Sequence, residues 1–107
     1  MIYKVNLNNK IDIEEIKKLA FEGFGDMVKA VVDINKNEMT IGGELHSDEE
    51  SVLIEQGSLQ ENLWGINIYP EKTFPDSIEF DSMINIRPRQ NNRSRNVEDV
   101  ETRKKNN

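Results

Sequence analysis

Apolar residues recur along this chain in two rhythms, and the changes between them mark the expected elements. Ile2–Val5 is a short run of strand type, ended by the polar stretch Asn6–Lys10. From Ile13 the spacing becomes helical: Ile13, Ile16, Leu19, Ala20 and Phe24 fall on one side of a 3.6-residue period, and that side is expected to be buried. Asp12 stands where a capping side chain belongs and Glu15 follows three residues on, with Ile11 and Ile16 as the flanking apolar pair. Gly23 and Gly25 end the helix. Alternation then returns. Val28, Ala30, Val32 and Ile34 share one face of a strand, while Lys29, Val31 and Asp33 share the other.

The turn Asn35–Glu38 leads to Met39–Ile41 as the returning arm of a hairpin, closed by Gly42 and Gly43. Ser47 and Glu50 have capping-box spacing and predict a helix over Asp48–Gln56, with Gly57 as its stop. Leu63–Tyr69 reads as a strand with Trp64, Ile66 and Ile68 on its buried face. Ile78–Ile86 alternates most regularly: Ile78, Phe80, Ser82, Ile84 and Ile86 are expected inward, and Glu79, Asp81, Met83 and Asn85 outward. Pro88 breaks that strand. After an irregular polar loop, Asn96 caps a last helical segment, Val97–Lys105. The order β-α-β-β-α-β-β-α predicts a two-layer α+β domain: an antiparallel or mixed sheet of four to five strands, with helices packed on one face.

The 107 residues suggest a single domain, 1–107. Without cysteine there are no disulfides, thiolate metal sites or cysteine nucleophiles. No apolar stretch suits a signal peptide or a membrane span, so a cytoplasmic location and no membrane partner are expected. The net charge of −6 disfavours general nucleic-acid binding, although RNA stays open as a partner. That total hides a division. Residues 1–86 carry 7 Lys and no Arg against 17 acids, whereas residues 87–107 carry 5 Arg and 2 Lys against 3 acids.

The stretches FGDMVKAVVDI, IGGELHSDEE, LWGINIYPEK and IEFDSMINIRPRQNNRSRNVED resemble an uncharacterised family of small prokaryotic proteins, known as a domain of unknown function. The resemblance runs from about Glu14 to Arg103. It implies no activity, cofactor or site residue.

Candidate chemistry therefore comes from the residues. Arg87, Arg89, Arg93 and Arg95 stand within nine positions that hold no acid, together with Asn92. Guanidinium forks match phosphate and carboxylate oxygens, so this segment is the first place to expect an anionic, phosphate-bearing small molecule. The competing reading is that the arginines meet the chain's own carboxylates. The acidic run Glu44, Asp48, Glu49, Glu50, Glu55 and Glu61, with His46, has no recognised metal-ligand spacing, and helix capping explains Asp48–Glu50, so neither a metal nor a cofactor is expected. His46, the single histidine, has no visible catalytic partner. Glu79, Asp81, Asn85 and Arg87 share the outward side of the predicted last strand, where paired carboxylates would influence each other's protonation. Three functional classes follow. The first is a binding or regulatory module that uses the arginine loop. The second is a homodimeric interaction protein whose arginines meet its own or a partner's acids. The third, ranked last, is a small enzyme using carboxylates and arginines.

Overall fold

The computed structural model describes residues 2–6, 10–73 and 75–97. It contains a five-stranded sheet ordered β1-β3-β2-β4-β5, antiparallel at every pairing. The strands are β1 (Tyr3–Val5), β2 (Val28–Asp33), β3 (Glu38–Ile41), β4 (Leu63–Ile68) and β5 (Ile78–Glu79). The helices are α1 (Ile13–Glu22), between β1 and β2, and α2 (His46–Glu55), between β3 and β4. The α+β class and the antiparallel sheet are those implied by the alternation.

The two faces of β2 bury different sets of residues. Val28 and Ala30 cluster with Ile41 of β3, Ile66 of β4 and Ala20 of α1, and Ile16, Leu19 and Phe80 pack against them. Val31, which points the other way, clusters with Leu63 of β4 and Leu53 of α2. Thr40 stands opposite Val31 and its hydroxyl donates to Glu49 O, which ties α2 to that second face. Asp33 is buried on the same side. Its carboxylate accepts from the N–H groups of Asn35 and Lys36 and from the Ser58 hydroxyl, which fixes the β2–β3 turn and the end of α2 together.

The start of α1 is as the capping pattern predicts: Asp12 Oδ1 accepts from Glu15 N at 2.9 Å. Its buried side is narrower than the periodicity implies. Ile13 is 49% exposed, and Phe24, 48% exposed, lies past the end of the helix beneath the Lys29 ammonium. At α2 the expectation is corrected. Ser47 does not cap: the helix begins at His46, Leu45 occupies the cap position, and no side chain caps it. The His46 ring explains the shift, because its Nε2 is 2.8 Å from Ile66 O and anchors the first turn to the sheet. Gly57, with φ at +98°, closes the helix as expected.

The largest correction concerns 78–86. The strand ends at Glu79, and Met83–Asn85 is a 3-10 turn whose cap is Ser82, Oγ accepting from Ile84 N. Met83 is therefore exposed as expected, but Asn85 is completely buried rather than outward, and Ile86 is partly exposed rather than inward. Alternation in polarity is mimicked here by a tight turn in which every second residue meets the protein for a different reason. The predicted helix Val97–Lys105 lies outside the described residues apart from Val97, which is buried.

Candidate functional site

The β5 edge of β4 is finished in three different ways. Asn67 pairs with Glu79 in the ladder. At Gly65 the ladder has stopped, and the Asn85 side chain replaces it: Oδ1 accepts from Gly65 N at 2.8 Å and Nδ2 donates to Gly65 O at 3.0 Å. At Leu63 the Arg87 guanidinium takes over, donating to Leu63 O at 2.6 Å and also to Gln60 O. Backbone groups at a sheet edge need partners once buried, and here an amide and a guanidinium supply them. Only glycine suits the middle position. A Cβ on Gly65 would stand 2.6 Å from Ser82 Cβ and Oγ, and 3.2 Å from the His46 ring.

This edge decides the roles of the predicted site residues. Arg87 is half-buried, its guanidinium lies 4.0 Å over the Trp64 ring, and two backbone carbonyls accept from it. Burial lowers its pKa from the usual arginine value. Asn92 is also buried, and its Nδ2 donates to the carbonyls of Asn85, Ser94 and Asn96. It pairs with Arg87 in a backbone bridge around the turn Pro88–Gln90, with Asn91 in the left-handed region at φ 60°. Arg89 and Arg93 are exposed on this loop, and Arg93 is not without a partner.

Arg95 sits elsewhere. The returning chain brings its carbonyl to Ser82 N and Asn85 Nδ2, and its side chain turns to Asp81, Nε to Oδ1 at 2.7 Å. Among the described residues nothing else engages the Arg95 guanidinium. Here it lines a cleft of about 630 Å³, within the usual size range of small-molecule sites. Lys29 of β2 and His46 and Ser47 of α2 line the cleft. Asn67 and Tyr69 of β4 and its continuation line it too, as do Glu79, to which both donate, and Asp81. Leu45, Met27 and Met83 supply the apolar surface. The structure thus joins residues that the sequence offered separately: Arg95 from the arginine segment, Glu79 and Asp81 from the acidic stripe, and His46. It does not bring Arg87, Arg89, Asn92 or Arg93 to this cleft. Lys29 and Ser47 were not anticipated as site residues. The signal for Lys29 was its polar position facing the same way as Val31.

The chemistry of the wall follows from its hydrogen bonds. A carbonyl only accepts, so His46 carries its proton on Nε2 toward Ile66 O, and Nδ1 is left as an acceptor. Burial lowers the His46 pKa and holds the ring neutral, and Lys29 and Arg95 push in the same direction against Ile66 O and Asp81. Glu79 Oε1 accepts from Asn67 Nδ2 at 2.8 Å and from the Tyr69 hydroxyl at 3.1 Å. The Tyr69 pKa is raised, by desolvation and by that bond to a carboxylate. Behind the cleft, Glu49 is fully buried. Its Oε2 accepts from Gly43 N at 3.0 Å, Oε1 has no partner among the described residues, and desolvation raises its pKa to about 8. The carboxyl group is therefore mostly protonated at pH 7. Among the described residues no three histidine or acidic side chains gather closely enough to hold a metal ion, and no helix is long and apolar enough to cross a membrane.

A family model described as Protein of unknown function (DUF5674) matches residues 5–107. No curated protein matches the chain, and neither does any solved structure.

Proposed function

The chain belongs to this family, which carries no activity to transfer, and from that premise we propose that it is a binding module holding a small anionic, phosphate-bearing molecule in the cleft beside α2. One observation carries the reading. Arg95 meets Asp81 at Nε, 2.7 Å from Oδ1, with its side chain about half exposed at the wall of the cavity, and a guanidinium carries five N–H donors, more than one carboxylate can take up. Guanidinium groups bind phosphate oxygens through paired donors of this kind. Lys29 adds a second positive charge, its ammonium otherwise resting over the Phe24 ring. Ser47, displaced from the cap position into the first turn of α2, brings its hydroxyl to the same wall, where the helix dipole favours negative charge.

The reading moves the anion from the loop to the cleft. Arg87 and Asn92 are engaged by their own chain and act as scaffold. Calorimetric titration with ethyl phosphate tests it: the wild type is expected to bind and Arg95→Gln to lose most of the affinity with an unchanged melting temperature. A flat wild-type titration, or full affinity in Arg95→Gln, overturns it.

A further inference from the structure

We infer that the molecule held in this cleft is a zwitterion, with a primary ammonium group a short carbon linker away from its anionic group. The inference rests on the anion-binding reading above and adds the second half of the ligand. The cleft presents two cations, Lys29 and Arg95, and also two carboxylates, Glu79 and Asp81. Glu79 is engaged on one side only. Glu79 Oε1 takes both the Asn67 and the Tyr69 donors, which leaves Oε2 without a hydrogen bond among the described residues. Asp81 Oδ1 meets Arg95 Nε at 2.7 Å, with the Asp81 side chain 42% exposed. His46 Nδ1 is a further acceptor, since Nε2 carries the proton.

These groups together present more acceptors than donors. Their own donors, Asn67 Nδ2 and the Tyr69 hydroxyl, already point at Glu79. A simple anion would satisfy Lys29 and Arg95 while lying beside two carboxylates that repel it. An ammonium has three donors and no acceptor. It would meet Glu79 Oε2 beside the Asp81 carboxylate, and the anionic end of the same molecule would meet Arg95 and Lys29. The anionic end is a phosphate, as in an aminoalkyl phosphate, or a carboxylate, as in an amino acid. Both share the chemistry that the wall recognises.

The test compares matched probes that differ only in the ammonium: aminoethyl phosphate against ethyl phosphate, and β-alanine against propionate, by calorimetry at pH 7. The ammonium is expected to raise affinity by about tenfold or more in at least one pair, the size of one charge-assisted hydrogen bond. The pair that responds identifies the anionic group. Glu79→Gln, which keeps an oxygen for Asn67 and Tyr69, is expected to bring the members of that pair to within about twofold. If ethyl phosphate binds as well as aminoethyl phosphate and β-alanine no better than propionate, the zwitterion is overturned and the anion site stands. Full ammonium preference in Glu79→Gln overturns the part given to Glu79. Failure of all four probes to bind overturns both readings.

Discussion

Asn85 pairs with both backbone groups of Gly65, accepting from its N–H and donating to its C=O, and so extends the sheet by one rung with a side chain. The same Nδ2 also donates to Arg95 O at 2.9 Å. One buried amide thus finishes the edge of β4 and positions the segment that carries Arg95.

Asn85→Ala and Asn85→Asp should therefore both be severe. Alanine strands the buried N–H and C=O of Gly65 and takes one of two donors from Arg95 O, and aspartate keeps the acceptor but loses both donor bonds. Each unsatisfied buried group costs about 1–3 kcal/mol, so a loss of about 3 kcal/mol or more is expected in urea unfolding for either variant. Because Arg95 O then keeps only its bond from Ser82 N, the surviving folded protein should also bind ethyl phosphate more weakly.

Gly65→Ala tests the close approach directly. Its methyl group would meet Ser82 and the His46 ring inside contact distance, and overpacking of this sort costs about 1–3 kcal/mol. Combining it with Ser82→Gly, which removes the nearest atoms, should recover part of that loss in thermal unfolding.

The arginines should separate by role. Arg87→Lys loses the stack on Trp64 and the fork across Gln60 O and Leu63 O, a substitution that is not conservative at such a site. A destabilisation of about 1–3 kcal/mol is expected, with ethyl phosphate affinity retained. Arg95→Gln should show the reverse, because its pair with Asp81 is mostly exposed and contributes little to folding. Denaturant melts and calorimetry on the same two variants check the split.

Glu49 predicts a fall in stability as pH rises. Its pKa is about 8 in the folded protein and in the ordinary carboxylate range when unfolded. The unfolded chain thus gives up the proton first, and stability drops from about pH 4.5 to pH 8 by at most about 1.4 kcal/mol per pH unit. Above pH 8 this contribution levels off. Glu49→Gln imitates the neutral carboxyl, and it should flatten that slope and be the more stable form at pH 8. His46 acts with the opposite sign. Its lowered pKa adds stability above the unfolded histidine value, lost as pH falls through the folded one. His46→Gln, which keeps a donor for Ile66 O, should remove the acid-side loss.

The parts of the fold that depend on local pattern were legible in the sequence. Asp12 caps α1, Gly57 closes α2, and Val28, Ala30 and Ile66 lie in the core where alternation put them. Val31, apolar between Lys29 and Asp33, was a sign that the second face is covered too, though nothing local said that Leu53 would cover it. The failures share a cause. Ser47 has the spacing of a cap, but the ring of His46 sets the helix start through a carbonyl twenty residues away. The run Ile78–Ile86 kept a strand's alternation after its ladder had ended, because Ser82 and Asn85 are held by contacts with Ile84, Gly65 and Arg95. The segregation of arginine was visible as charge. Which guanidinium faces a backbone carbonyl and which faces a cavity depends on where the chain returns after Asn92, and no periodicity encodes that.

The division between Arg87 as scaffold and Arg95 as binding group is tested most directly by amide and arginine side-chain NMR shifts during an ethyl phosphate titration. The largest shifts are expected at Arg95, Lys29, His46 and Ser47, with Arg87 and Asn92 unmoved. Shifts centred on Arg87 to Arg93, or none anywhere, would contradict it.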